Sequence, residues 1–456
     1  MIHVAMFPHL AMGHLIAYLH LSNRLAERGH KVSFFVPTKP QPDLNPFNHH
    51  PHLISFISLT VPHVQGLPLG AQTMADVPLT LVHFFWIAID NMQNQIKLLL
   101  QELKPDLILY DITHRLSSIA RDLGIKTVHH CTTSASNNAY FLVPSRNLPL
   151  GIEEKLPETN YMVPPLDFPR SSLKLHLFEV LTVFPSSNKF GDDISFHQRL
   201  LTALNNCDAI SFRTCREMEG KYCDYLNQQF KKPILLTGPA LPETPNTPLE
   251  KQWDDWLSRF DPGSVIYCSF GSECILQTEQ FQELVLGLEL TGLPFLVALK
   301  PPFGFTTVEE SLPSGFKERI GDRGVVYGGW VQQTLILAHP SVGCFVTHCG
   351  FGSMWESLAS DCQIVGIPQG GDQFLNARVL SGELKVALEV ERREEDGWFS
   401  KESIHKAVKE VMDGENQVGN ELKENHAKWK QVLLSEGLED AYIDSFIEKL
   451  QDLLEN

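Results

Sequence analysis

The chain of 456 residues has no apolar run of 18 residues, no cluster of basic residues and no Cys-x-x-Cys pair. Each absence removes a class of protein. Without a long apolar run there is no expected membrane-spanning helix. With 37 Lys and Arg against 54 Asp and Glu, the net charge is −17, which argues against nucleic acid or an anionic membrane surface as partner. The nine cysteines are odd in number and scattered, which predicts reduced thiols rather than a disulfide framework or a zinc site. There is no Asn-x-Ser/Thr sequon, and a strand pattern begins at Ile2 where a leader would have its charged and apolar regions. The expectation is a soluble cytoplasmic protein, acting as a monomer.

What is present is a regular alternation of strand and helix signals. The buried-strand run Ile2–Phe7 leads through a turn to a helix with Leu15, Tyr18, Leu19, Ser22, Leu25 and Ala26 on one face, closed by Gly29, and then to a strand over Lys31–Val36. The pattern recurs with a strand at Asp106–Asp111, a helix at Arg115–Leu123 and a strand at Lys126–Cys131. Such units imply a parallel, doubly wound α/β sheet. Residues 61–71, rich in Gly and Pro, read as a loop over the sheet edge, and 147–187 has no readable period. Four prolines between Gly238 and Pro248 mark a linker.

A second series follows, with strands at Val265–Phe270, Phe295–Ala298, Val325–Tyr327, Gly343–Thr347, Ile364–Ile367 and Val386–Val390. The expected organisation is two Rossmann-like doubly wound domains, residues 1–238 and 251–438, joined by a linker at 239–250. A final helix, 439–456, has Ile443, Phe446, Ile447, Leu450 and Leu454 on one face. In such sheets ligands bind at the carboxyl ends of the strands, here in the cleft between domains. Neither first turn carries Gly-x-Gly-x-x-Gly and no acidic residue is placed for an NAD ribose, so a nicotinamide oxidoreductase is excluded.

The most informative stretch runs from Trp330 to Gln373. A short apolar run, Val342–Thr347, feeds His348-Cys349-Gly350-Phe351-Gly352-Ser353 and then a helical pattern through Trp355, Leu358 and Ala359. A glycine-rich turn opening a helix leaves the first N–H groups unpaired, which suits a phosphate.

These 44 residues resemble the signature box of the plant family 1 UDP-glycosyltransferases, and the order of the other motifs extends the likeness over nearly the whole chain. The resemblance implies the GT-B type of fold, the final helix crossing back onto the first domain, and a UDP-sugar as co-substrate with no further cofactor. It implies that Trp330 stacks on uracil beside Val331, with Gln333 reading the base edge. His348, Gly350 and Ser353 would take the diphosphate, Glu356 the ribose hydroxyls, and Asp372 and Gln373 the transferred sugar. Phe351 and Gly352 replace the family's usual Trp-Asn, and Gly370 stands where many members carry a large aromatic.

His14 is at a strand-to-helix junction, where the family places its general base, and Asp111 ends a strand at the same sheet edge, where a carboxylate can hold the imidazole. Without this pair the chain would read as a non-catalytic nucleotide-sugar binder. Ser272 lies at a helix start and meets the donor phosphate or simply caps the helix. Thr132 and Thr133 end a strand, where they either face the sugar or, as the preferred reading, serve as polar turn residues. The adjacent pairs Asp192-Asp193 and Asp254-Asp255 lack the Asp-x-Asp turn that holds manganese in other glycosyltransferases, so no metal site is expected. Within the family, His348–Glu356, Val61–Ala71 and Arg213–Tyr222 are most similar to the branch that extends existing sugars. The expected acceptor is therefore a flavonoid or terpenoid glycoside, with an aglycone as the alternative, and the expected donor UDP-glucose.

Overall fold

A computed structural model describes residues 1–146, 158–183, 189–192, 194–242, 247–271 and 273–455. Its first sheet is built from β1 (His3–Phe7), β2 (Lys31–Pro37), β3 (Ile54–Leu59), β4 (Leu107–Tyr110), β5 (Lys126–Cys131), β6 (Ala209–Phe212) and β7 (Ile234–Leu236). All seven are parallel, in the order β3-β2-β1-β4-β5-β6-β7. Because β1 is central, Val4 pairs with Val32 on one side and Leu107 on the other, and β1 is buried on both faces.

The second sheet repeats the plan with β8 (Val265–Ser269), β9 (Phe295–Ala298), β10 (Gly324–Tyr327), β11 (Val342–Thr347), β12 (Gln363–Gly366) and β13 (Ala387–Glu389). Its order is β10-β9-β8-β11-β12-β13, again parallel. In each sheet the order reverses beside the first strand, at β1/β4 and at β8/β11. A crevice opens there because the neighbouring connections leave on opposite faces. Two doubly wound α/β halves are thus confirmed, with strand limits within a residue or two of those expected.

β3, β6 and β7 had no counterpart in the sequence reading. They are six, four and three residues long. Their pairing partners, rather than any period of their own, select the extended state. Residues 61–71 form the expected irregular segment. Part of the unreadable region takes shape as a helix, Leu177–Val183, while 147–157 and 184–188 lie outside the described residues, as do four linker positions, 243–246.

The final helix, Leu438–Glu455, buries Ile443, Phe446, Ile447 and Leu450 in a cluster with Val4, Leu15, Tyr18, Leu19 and Val32 of the first sheet and its first helix. Leu454 is half-buried at the edge of the same cluster. Arg24 meets Glu439 and Arg28 meets Asp440 and Asp444, so the far end of the chain is clamped to the first sheet by packing and by ion pairs. A further strap joins the halves: Ser172 bonds Glu383 at 2.9 Å, Arg378 bonds the buried Glu179 at 2.8 Å, and the rings of Phe178 and Phe374 meet edge to face at 6.2 Å. Among the described residues no helix is long and apolar enough to cross a membrane.

Candidate active site

At the carboxyl end of β1 the chain turns through Pro8–Ala11 into the helix Met12–Glu27, which places His14 in its first turn. At the carboxyl end of the neighbouring β4 the next residue is Asp111. Adjacent parallel strands ending together bring these residues, 97 positions apart in sequence, into direct contact. His14 Nδ1 and Asp111 Oδ2 form a short hydrogen bond. The other Asp111 oxygen accepts from the Ile112 N–H at 2.9 Å, fixing the carboxylate. Ile112 has φ of 25°, an uncommon value for a β-branched residue, so the turn that presents Asp111 is strained.

Burial acts to lower the His14 pKa, but the Asp111 carboxylate outweighs it by charge and hydrogen bond, and the net direction is upward. Burial acts to raise Asp111, and His14 outweighs it in turn, carrying the carboxyl down to about 2. Both shifts favour the charged pair over the neutral one. Asp111 is 4% exposed and His14 is 23% exposed, so the imidazole is the reachable member.

Thr132, at the exit of β5, places Oγ1 2.9 Å from His14 Nδ1. This corrects the expectation that Thr132 is only a polar turn residue, because three strand ends converge on one imidazole. Thr133 does hold its turn, accepting from Asn138 Nδ2 at 2.9 Å. His9 is buried and stacks on Trp86 at 4.3 Å, edge-on to His14 at 5.1 Å. Desolvation lowers its pKa to about 3, with the neighbouring His14 acting the same way. It is therefore neutral and forms a wall beside His14.

The second centre lies at the switch point of the other sheet. β11 ends at Thr347, and the helix Phe351–Ala359 begins after Gly350. His348 lies between two glycines. A Cβ at Gly271 would come within 3.1 Å of its ring and one at Gly350 within 2.5 Å, so only glycine leaves space on both sides. Burial pushes His348 down to about 4, and its Nδ1 is buried with no partner. A neutral imidazole offers a diphosphate an N–H, not a charge. A Cβ at Gly352 would meet nothing within 4 Å, so open space lies beside the helix start.

Around this turn, Gln333 Nε2 donates to Ser353 Oγ at 3.2 Å and to Glu356, its Oε1 accepts from Tyr267 Oη at 3.1 Å, and Thr334 donates to Glu356 at 3.0 Å. Gln333, Ser353 and Glu356 are thereby brought together. Burial raises the Glu356 carboxyl, opposed by these two bonds. Trp330 is 75% exposed, a free indole face at the rim, while Val331 is buried in the core below it. Asp372 and Gln373 start the next helix, Gln373–Arg378. Gln373 Oε1 accepts from the N–H groups of Gln369 at 2.8 Å and Gly370 at 3.2 Å, which leaves its amide nitrogen for a ligand. Asp372 is raised by burial and accepts from Asn376 Nδ2 at 2.9 Å. Ser272 lies outside the described residues.

Sequence reasoning also passed over Asn376, buried and shared between Asp372, Cys349 and Ser134. Its i, i+4 spacing from Asp372 on one helix was the available signal. Among the described residues, Asp90, His114 and Asp192 form one group of metal-ligand types. Arg199 already occupies it, 2.6 Å from Asp90 and 3.2 Å from His114 Nδ1, so the cation there is a guanidinium. Asp193 lies outside the described residues, and Asp255 pairs with Lys251 at 2.7 Å on the surface.

Two doubly wound halves, one carrying a His–Asp pair and the other a glycine-rich turn at a helix start, give the chain the architecture of the GT-B class of glycosyltransferases. The structure resembles that of Phytolacca americana UGT2 complexed with UDP-2fluoro-glucose and pterostilbene, with a TM-score of 0.75, 26% identity and all of both chains covered. Residues 223–428 match the UDP-glucoronosyl and UDP-glucosyl transferase family. The chain is 51% identical to the cyanidin 3-O-galactoside 2''-O-xylosyltransferase FGGT1 of Actinidia chinensis var. chinensis, over 99% of this chain and 98% of that protein. It is 50% identical to the anthocyanidin 3-O-glucoside 2''-O-glucosyltransferase of Ipomoea nil, with the same coverage. The chain belongs to this family and is a UDP-glycosyltransferase.

Proposed function

We propose that the enzyme transfers a sugar from a UDP-sugar to a hydroxyl on the existing sugar of a plant flavonoid glycoside, or a terpenoid one, forming a sugar–sugar linkage. The observation that carries the chemistry is the His14–Asp111 pair. With Nδ1 engaged by Asp111, neutral His14 presents Nε2 to the acceptor hydroxyl and takes its proton as the oxygen bonds to the anomeric carbon. UDP leaves from the opposite face, so one displacement inverts the anomeric configuration.

The negative charge that develops on UDP meets the His348 N–H, the turn at Gly350, the Ser353 hydroxyl and the helix start, without a metal. Trp330 covers the uracil, with the buried Val331 supporting it from below and Gln333 at the base edge. Glu356 takes the ribose, and Asp372 with the Gln373 amide takes the sugar. In this reading residues 1–238 bind the acceptor and 251–438 the donor, bridged by 239–250 and tied by 439–456.

Support for a glycoside acceptor comes from the two relatives at about half identity, both named for adding a second sugar. Their donors differ, xylosyl in one and glucosyl in the other. We favour UDP-glucose because the signature box ends in Gln373. The test compares kcat/KM for anthocyanidin or flavonol 3-O-glucosides with that for their aglycones. The glucosides should be preferred by tenfold or more, about 1.4 kcal/mol of transition-state binding. A tenfold preference for aglycones across several scaffolds would replace this proposal with a first-sugar transferase.

A further inference from the structure

The base lies on one half of the molecule and the donor turn on the other, so catalysis requires that the halves be held in register. The position of Asn376 bears on this directly. It is fully buried on the helix Gln373–Arg378. Its Nδ2 donates to the Cys349 carbonyl at 3.1 Å and to Asp372 Oδ2 at 2.9 Å, and its Oδ1 accepts from Ser134 Oγ at 2.9 Å. Both ends of the amide are engaged, in three directions that are all functional. Resting on the function proposed above, Cys349 lies between His348 and Gly350 in the turn assigned to the diphosphate and Asp372 at the position assigned to the sugar, while Ser134 belongs to the other half of the chain, two residues after Thr132, which bonds His14.

We propose that Asn376 is a positioning residue that sets the donor turn and locks it in register with the catalytic base. Two physical consequences follow. Cys349 has φ of 61°, a left-handed conformation that is unfavourable for a non-glycine residue and persists only where its surroundings hold it. The Asn376 bond to its carbonyl supplies that hold. A trans peptide directs C=O and N–H to opposite sides, so drawing the Cys349 carbonyl toward Asn376 turns the Gly350 N–H away from it, toward the mouth of the turn where a diphosphate would bind.

The second consequence concerns the other arm. Ser134 caps the helix Ala135–Phe141 by accepting from Asn137 N–H, and Glu219, also buried, accepts from the next two N–H groups, of Ala135 at 3.1 Å and Ser136 at 2.8 Å. The helix start is thereby fixed to the first half. Its one hydroxyl proton is spent on Asn376 across the domain boundary. The path from His14 through Thr132, Ser134 and Asn376 to Asp372 is short and joins base to sugar site.

The test separates the two arms. Ser134→Ala removes the cross-domain bond together with the cap on the Asn137 N–H, and leaves the bonds of Asn376 to Cys349 and Asp372. It should lower kcat roughly tenfold, since a small misplacement of reacting groups has effects of that size. It should also raise the fraction of UDP-sugar lost to water instead of acceptor, while UDP affinity by calorimetry stays within twofold of wild type. Ser134→Thr, which keeps the hydroxyl, should restore kcat and coupling. Asn376→Ala cuts both arms and should weaken UDP as well as kcat. Wild-type kcat and coupling in Ser134→Ala would overturn the proposal. So would a loss in both variants that is fully explained by a lower fraction of folded enzyme, read from active-site titration and thermal melting.

Discussion

Asp111 closes on Nδ1 of His14, and this leaves Nε2 as the nitrogen free for a substrate. The relationship is set by two neighbouring strands of one sheet ending at the same level, with the donor turn at the matching level of the other sheet. Under the proposed function, proton removal and donor binding fall on different halves of the chain, so their effects can be separated by experiment.

Replacing His14 by Ala should lower turnover by roughly 10²–10⁴, the usual contribution of a general base. UDP binding should be unchanged, because the candidate donor residues come from the other half. Titration calorimetry with UDP beside steady-state rates checks both, and turnover near wild type would remove His14 as base.

The pH profile has a definite sign. A general base works in its neutral form, and Asp111 holds His14 above its ordinary 6.5. The rate should therefore fall as pH drops through a value above 6.5, where the ring becomes protonated. Asp111→Asn removes the charge that raises it, so the acid limb of kcat/KM should move to lower pH while kcat falls. An unshifted limb would assign it to another group.

Activity should persist in a chelator, because backbone N–H groups, neutral His348 and a helix start stand at the diphosphate. Loss of activity in EDTA that is restored by Mn²⁺ or Mg²⁺ would contradict this.

Donor preference should favour UDP-glucose over UDP-xylose at equal concentrations. The Gln373 amide nitrogen remains available to a sugar hydroxyl, and Gly370 is walled only loosely, with Thr182 Cγ2 3.6 Å from the position its Cβ would take. Faster transfer from UDP-xylose, measured as UDP release, would reverse the assignment.

Phe446 is fully buried where the final helix meets the first sheet. Phe446→Ala should cost about 3–5 kcal/mol of stability. Thermal melting should show the loss, and a melting temperature equal to wild type would mean that this helix contributes little to the packing.

The doubly wound architecture was legible because strand–helix–strand spacing is a local pattern, and so was the phosphate-suited turn, whose glycines and helix start are contiguous in sequence. Strands with near-uniform burial, such as β1 and β8, declared themselves. β3, whose buried and exposed positions follow no strand period, did not, and neither did β6 and β7, although β4 and β9 are no longer than β6; each takes its conformation from the strand beside it. Resemblance to a known family supplied the candidate roles of His14, Asp111 and the signature residues, all of which lie in ordered motifs.

Sequence alone thus determined the two-sheet α/β class and the glycine-rich strand-to-helix turn at His348–Ser353, and it singled out His14 and Asp111 as the candidate base and its carboxylate. Tertiary structure decided that Thr132 joins the pair, that His9 is a neutral buried wall beside it, and that Asn376 bonds across the two halves. Each of these depends on contacts between residues far apart in the chain: Thr132 and His14 are 118 positions apart, Asn376 and Ser134 242. Hydrogen bonds of that kind leave no period in a sequence. They exist only once strand ends from separate segments have been brought to one edge.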